Sequence, residues 1–346
     1  MRKIIKYIFI FLAIIFILLV AGFYFFFVGG AQIHDNIIWG VDFSHSQAEY
    51  LKLDWKELYS SVIEDLKVEN IKLHTNWSWV EGKQDEFYFD DIDWQLQQAK
   101  ENGVKIIYVI GVKTGRWPEC HYPDWLNNLS EQQQKDAALN YIKQVVERYK
   151  DNNSIAFWQV ENEPLLNFGK CPEWYYKDDN FLKQEVALVK LLDPSRKIIV
   201  SESGELSWWH DVAKIGDIVG VTMYRRAWLD TSSFGFPIDG WDFYATYPVA
   251  PILYARKAEI VKNLFNKKTI CIELQAEPWA PGPFREVSLS EQAKTMNLDI
   301  FKDNIEYAKQ TGLDTFYFWG AEWWYWMKTS QNQPEIWNEA RELFSS

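Results

Sequence analysis

Two hydropathy patterns alternate along most of the chain. Short, near-continuous apolar runs recur at Ile37–Phe43, Ile71–Asn76, Lys105–Gly111, Ile155–Val160, Lys197–Ser201, Ile218–Tyr224, Thr269–Leu274 and Thr315–Trp319. Runs apolar at nearly every position fit parallel strands covered on both faces. The stretches between them carry a helical period. After the third run, Ala137, Ala138, Tyr141, Ile142, Val145, Val146 and Tyr149 form one stripe, preceded by Ser130 and Gln133 as a capping box. After the seventh, Ser288 and Glu291 open a second helix, with a stripe of Ala293, Met296, Ile300, Phe301, Ile305 and Ala308. Gly103 and Gly312 stand just before strands, where a helix ends in a left-handed residue. The helix after the fifth run is the weakest of the set. Eight strand–helix units of this kind predict an α/β chain folded as a (β/α)8 TIM barrel. A doubly wound open sheet is the competing topology. It favours a Gly-rich turn after the first strand, where this chain has Ser44-His45-Ser46-Gln47.

One segment has neither pattern. Tyr7 to Val28 carries no charge and is apolar on every face, with Arg2, Lys3 and Lys6 before it. That length spans a hydrocarbon core of about 30 Å as a helix. The basic residues precede the run, so the N-terminus is expected in the cytoplasm and the rest outside. The expected organisation is a cytoplasmic stub and transmembrane anchor over 1–30, then one domain over 31–346. No Pro/Ser/Gly-rich linker divides that domain. A cleaved signal peptide is the alternative and would make the protein secreted. Its apolar stretch is usually about 7–15 residues and ends at a small-residue site. Here bulky Phe23-Tyr24-Phe25-Phe26-Phe27 closes the run.

Composition narrows the chemistry. With 36 basic and 48 acidic residues the formal net charge is −12, unsuited to coating a phosphate backbone, so no nucleic-acid partner is expected. Three cysteines with no C-x-x-C pair, and five scattered histidines, give no zinc site of standard spacing. Outside the cytoplasm a Cys120–Cys171 bridge is open to the chain, leaving Cys271 as a buried thiol; spacing alone does not decide it. Aromatic residues make up 17%, with 19 Trp, more than a core requires.

A (β/α)8 barrel keeps its active site at the C-terminal ends of its strands. Carboxylates and tryptophans gather there. Strand two ends His74-Thr75-Asn76-Trp77-Ser78-Trp79, strand four ends Glu161-Asn162-Glu163-Pro164, and strand six ends Tyr224-Arg225-Arg226. Strand seven ends Glu273-Leu274-Gln275-Ala276-Glu277-Pro278-Trp279, and strand eight ends Trp319-Gly320-Ala321-Glu322. Two facing carboxyl groups, one protonated and one ionised, are what glycosidic-bond cleavage requires. Sugar C–H faces pack on indole, while N–H groups and amides bond the hydroxyls.

On these residues the chain resembles glycoside hydrolases of clan A, the retaining enzymes built on (β/α)8 barrels. Asn162-Glu163-Pro164 matches their strand-four ending, which implies Glu163 as acid/base and Asn162 as a ligand of the sugar 2-hydroxyl. Glu273 matches the strand-seven nucleophile, Tyr224 the tyrosine that bonds it, and Trp319 the indole under the sugar. Lys72 stands where the clan usually has Arg, and a Lys lacks the planar two-pronged contact. Glu277 competes with Glu273 for the nucleophile's place. Glu273 is preferred because it directly ends the apolar run. Glu161, alternating with Glu163, is expected to face the other way and be structural. His74, Trp77, Trp279 and Glu322 are candidate substrate contacts, and the aromatic stretch Ala227–Ala250 is a candidate cleft wall or lid. The resemblance implies hydrolysis of β-glycosidic bonds in an oligo- or polysaccharide, cellulase- or endo-β-glycanase-like, with no cofactor or metal. A non-catalytic, membrane-tethered carbohydrate-binding barrel and a transglycosylase are the alternatives. Sugar, linkage and oligomeric state are not written in the sequence.

Overall fold

The computed structural model describes residues 2–177, 180–229 and 243–345. Eight parallel strands close into a barrel: β1 (Ile38–Phe43), β2 (Asn70–His74), β3 (Lys105–Ile110), β4 (Ile155–Val160), β5 (Lys197–Glu202), β6 (Ile218–Met223), β9 (Lys268–Gln275) and β10 (Thr315–Trp319). Between β6 and β9 lies a small antiparallel pair, β7 (Arg226–Leu229) and β8 (Phe243–Thr246). The sheet closes where β1 pairs with β10, Ile38 opposite Thr315 through Asp42 opposite Trp319. Closure excludes the open doubly wound sheet. It also explains the continuous apolar runs: every strand buries one face inside the barrel and the other under helices.

The two faces form two packed layers. Ile107, Ile199, Ile218, Ile270, Ile272 and Tyr317 fill the barrel's interior. The outer layer joins the remaining strand residues to the helices, including the stripe Ala138, Tyr141, Ile142, Val145, Val146 and Tyr149 of helix Glu131–Tyr149. Gly40 on β1 faces inward, and a Cβ there would lie 2.7 Å from the Tyr317 ring, so glycine lets that ring enter the barrel.

Local signals in the sequence appear as local structure. Ser130 and Gln133 form the full capping box of helix Glu131–Tyr149. Gly103 and Gly312 both take φ +71°, the left-handed conformation that ends their helices. The helix after β5 is short, His210–Ile215. After β9 the structure departs from the single helix expected from Ser288 onward. Ser288 caps only Leu289–Gln292, and a second helix, Leu298–Lys309, starts at Asn297. Asn297 is extended (φ −151°, ψ 179°) and its side chain accepts from Ile300 N, so the apolar stripe continues while the backbone restarts. The β7–β8 pair was not anticipated. The stretch between these strands, 230–242 and with it the middle of the expected wall Ala227–Ala250, lies outside the described residues.

At the N-terminus, helix α1 (Arg2–Phe27) contains a span, Ile4–Phe27, of mean hydropathy 3.0 with none of it buried, long and apolar enough to cross a membrane. Cys120 and Cys171 are joined by a disulfide, and Cys271 is buried and free.

Candidate active site

The C-terminal rim of the barrel carries a connected set of charges that starts at Lys72. This residue sits on β2, between Ile71 and Leu73, and is fully buried. An isolated ammonium there would be costly, and its pairing with acceptors offsets the penalty. Its Nζ pairs with Asp42 of β1 at 2.7 Å and donates to Glu273 Oε1 at 2.8 Å and to Asn162 Oδ1 at 3.2 Å. Burial acts to lower the Lys72 pKa, but the charges of Asp42 and Glu273 outweigh it and raise it. Asp42 also bonds His74 Nε2, whose Nδ1 meets the carbonyl of Thr114. For Asp42, burial is outweighed by His74 and Lys72, and its carboxyl is held below the usual range.

Glu273, on β9, is buried, and its second oxygen accepts from Tyr224 OH at 2.9 Å. Both of its oxygens are thus held by donors, one of them charged.

Glu163 is placed by the tight turn that follows β4. Glu161 and Glu163 both adopt left-handed backbone, φ 64° and 46°. Side chains that would alternate along a strand are instead turned at a corner. Glu161 reaches back into the barrel wall, accepting from Val112 N at 2.7 Å, Lys113 N at 2.5 Å and Tyr175 OH at 2.9 Å. It locks the end of β4 to the end of β3. Glu163 is turned toward β5 and β6: its N–H donates to Ser201 Oγ at 2.8 Å and its Oε1 accepts from Thr222 Oγ1 at 3.0 Å. Burial, then the negative charge of Glu273, pushes the Glu163 carboxyl up to about 8. The charge of Glu273 thus adds to burial in raising Glu163, and both carboxyl groups act on the Tyr224 hydroxyl.

A second cluster lies under Trp319. The Arg116 guanidinium stacks 3.9 Å from the centroid of that ring. It forks between Glu277 and Glu322, reaching the latter at 2.9 Å. Trp319 Nε1 donates to Glu277 Oε1 at 2.7 Å, and Glu322 Oε1 accepts from Ser44 N at 2.5 Å. Glu277 is therefore occupied in holding Trp319 and Arg116, which separates it from Glu273. The expectation that Glu322 contacts substrate is corrected. It is fully buried, its oxygens are taken by Arg116 and the β1 loop, and burial pushes its carboxyl up to about 7.

Trp77 is also corrected. Its ring is fully buried, stacks on Tyr141 with centroids 5.2 Å apart, and donates to Glu81 Oε2 at 2.8 Å. The short helix Trp77–Val80 turns it away from the rim into the helix layer. His74 stands edge-on to Trp319, ring centroids 5.7 Å apart. Trp279 is 39% exposed, edge-on to Tyr224 with centroids 5.1 Å apart. Beside this centre is a cavity of about 290 Å³ whose lining includes Ser44, His45, His74, Asn76, Trp79 and Tyr88.

Several participants were not singled out from the sequence. Asp42 is one, and its signal was a charge inside the apolar strand Ile38–Phe43. Glu119 is another: burial, aided by the negative charge of Glu273 and opposed by Lys113, pushes its carboxyl up to about 7. Thr222, inside β6, left no signal, because a threonine in a strand is unremarkable.

The eight parallel strands close into a (β/α)8 barrel, with Glu163 just past its fourth strand, Glu273 on its seventh and Trp319 at the end of its eighth. The profile of Glycosyl hydrolase family 10 matches residues 34–186, a stretch that includes Glu163 but stops short of Glu273. A putative mannan endo-1,4-beta-mannosidase 4 of Arabidopsis thaliana is 25% identical over 146 residues, 36% of this chain. The match spans only 34% of that curated relative's length. Among solved structures, xylanase 10B from Thermotoga maritima superposes with a TM-score of 0.55 at 16% identity, covering 89% of this chain and 95% of that one. A cold-adapted β-galactosidase from Rahnella sp. R3 gives a TM-score of 0.56 at 12% identity, over 92% of this chain and 57% of the other. At these identities the superpositions establish the fold.

Proposed function

We propose that the protein hydrolyses β-glycosidic bonds in an oligo- or polysaccharide by double displacement, with Glu273 as nucleophile and Glu163 as acid/base. The observation that carries this reading is the contrast between the two carboxyl groups. Glu273 has an ammonium and a phenol on its two oxygens. Glu163 has one neutral hydroxyl donor and a raised pKa of about 8. A proton held at neutral pH on one acid beside an electron-rich partner is the division of labour the reaction needs.

In the first step Glu273 attacks the anomeric carbon while Glu163 gives its proton to the leaving oxygen. The glycosyl–enzyme ester forms as the glycosidic bond breaks. In the second step Glu163, now ionised, takes a proton from water as the water oxygen bonds the anomeric carbon and the ester bond to Glu273 breaks, which releases the sugar with its original configuration and restores both carboxyl groups. Lys72 and Tyr224 orient Glu273. Asn162, held by Lys72 and by Gln159 Nε2 at 3.0 Å, presents its amide toward the sugar. Trp319, propped by Arg116 and Glu277, forms the floor, and His74 and Trp279 flank it.

The relatives named above are a xylanase, a mannosidase and a β-galactosidase, so the common element is a β-linked hexose or pentose, and the sugar is a matter for assay. We read residues 1–30 as a membrane anchor or signal segment and 31–346 as the domain outside the cytoplasm.

The test is a screen of β-glucan, mannan, xylan and galactan with product sizing, followed by the variants Glu163→Gln and Glu273→Gln. Loss of the acid/base is expected to slow turnover on the order of 10²–10⁴-fold, and loss of the nucleophile at least as much. Proton NMR of the first product formed should show the β-anomer. Wild-type rates in both variants, or an α-anomer first, overturn the assignment.

A further inference from the structure

The loop after β5 leaves two large apolar side chains in solvent at a place where the fold spends several interactions to hold the backbone still. Leu206 is 67% exposed and Trp208 59% exposed. Immediately after them Trp209 is fully buried, in left-handed backbone (φ 62°), with its Nε1 donating to Ser203 O at 3.1 Å. From below, the buried Lys257 donates to Gly204 O and Ser207 O, each at 2.7 Å. A loop fixed in this way presents Leu206 and Trp208 outward as a consequence of its architecture.

What lies beside them is the end of α1. Phe26, in the last turn of the apolar span, packs edge-on against Trp208 with ring centroids 5.3 Å apart. One residue earlier, Arg256 of helix Pro251–Phe265 donates from Nε to the Phe25 carbonyl at 3.0 Å and lies 4.9 Å over the Phe25 ring. That carbonyl is among those a helix C-terminus leaves without an internal partner. The outer end of the span is therefore docked on the barrel wall, and Trp208 lies level with it.

We propose that Leu206 and Trp208 insert into the interfacial zone of the same bilayer that α1 crosses, so that the β5 edge of the catalytic face rests on the membrane. The proposal builds on the reading of α1 as a membrane anchor. The occupant of this apolar surface is the lipid headgroup and upper acyl region. Indole rings concentrate at that depth, where an apolar body and a polar N–H are both satisfied, and a cationic side chain beside a helix end reaches the phosphate level. The consequence reaches the active site through one residue. In the same loop, Glu205 accepts from Tyr224 N at 2.6 Å and from Tyr254 OH at 2.7 Å. Tyr224 is the residue that bonds Glu273. The cleft then opens beside the outer surface of the bilayer, and glycan chains lying along that surface reach it without crossing bulk solvent.

The test uses the full chain in nanodiscs, with Leu206→Cys carrying an environment-sensitive fluorophore. Cys271 is buried and the other two cysteines are bridged, so the new thiol is the reactive one. Val28→Cys reports the outer end of the anchor, and Gln132→Cys, on a helix elsewhere in the barrel, reports bulk solvent. With lipids brominated high on their acyl chains, the labels at 206 and 28 are expected to lose at least half their emission, and the label at 132 none. Quenching at 28 but not at 206 overturns this proposal and leaves the anchor standing. Absence of quenching at both overturns the anchor and the proposal with it. Trp208→Ser should abolish quenching at 206 while leaving turnover of a small soluble substrate unchanged.

Discussion

Three acceptors from three separate stretches of chain meet on the ammonium of Lys72: Asp42, Asn162 and Glu273. Removing one member of a buried charge network leaves the others uncompensated, at about 3–5 kcal/mol. Lys72→Met is therefore expected to lower unfolding stability by about 3–5 kcal/mol in a urea titration and to lose turnover, since Glu273 is no longer oriented. An unchanged urea midpoint would show that the network is not what holds the rim. Glu163 makes a separate prediction. Its carboxyl is raised to about 8 by burial and by the charge of Glu273, so it keeps its proton through neutral pH. With Glu163 as the proposed acid, kcat/KM should fall about tenfold per pH unit above about 8. A profile whose alkaline limb begins below pH 6 contradicts the assignment. The sequence pointed to Glu163 and Glu273 through their place near the ends of the fourth and seventh apolar runs and through the resemblance of Asn162-Glu163-Pro164. It preferred Glu273 to Glu277 only by position along the run, and it left Glu322 as a candidate substrate contact. All four are rim carboxylates, and only the fork of Arg116 distinguishes those that are engaged in structure.

The loops after β3 and β4 are built as one unit. Cys120 in the first and Cys171 in the second are joined across 51 residues of chain. Closing a loop of that length removes unfolded-state entropy worth about 4 kcal/mol. The double variant Cys120→Ser, Cys171→Ser should lose up to about 4 kcal/mol by calorimetry, and because Arg116 lies in the tethered loop, activity should fall with it. Full retention of both would mean that the bridge constrains nothing the barrel does not already fix. Helix caps illustrate the reach of local sequence. Ser130 and Gln133 announced a start that the structure contains. The second start at Asn297 was missed because the apolar stripe runs unbroken across it. Hydropathy reports which face is covered, and it is silent about whether the backbone hydrogen bonds continue.

Buried carboxyl groups of opposite character set the pH response of the molecule. Burial raises Glu163 to about 8 and Glu205 and Glu322 to about 7. Such groups hold protons in the folded chain that the unfolded chain releases from about pH 4.5, so stability declines as pH rises from there through 7–8. Asp65, held mainly by its hydrogen bond from Lys328, and Asp193, where hydrogen bonds from Ser195 and Trp158 outweigh burial, are lowered to about 2. Their contribution is present above about pH 4 and lost as pH falls toward 2. The melting temperature of the full chain in detergent is expected to peak at about pH 4–5, with a decline toward pH 8 visible by scanning calorimetry. A maximum at alkaline pH would mean that these carboxyl groups are already ionised in the folded protein.

The sequence by itself determined the barrel, the anchor-like first helix and the two strands that carry the central acids. Each of these follows from periodicity and from position along a strand, which are properties of neighbouring residues. The tertiary structure alone decided that Trp77 is core, that Glu322 is clamped, that Cys120 meets Cys171, and that Trp208 touches Phe26. These facts depend on which distant stretches meet in space. Burial, hydrogen-bond occupancy and the proton affinity of a carboxyl group exist only once they have met.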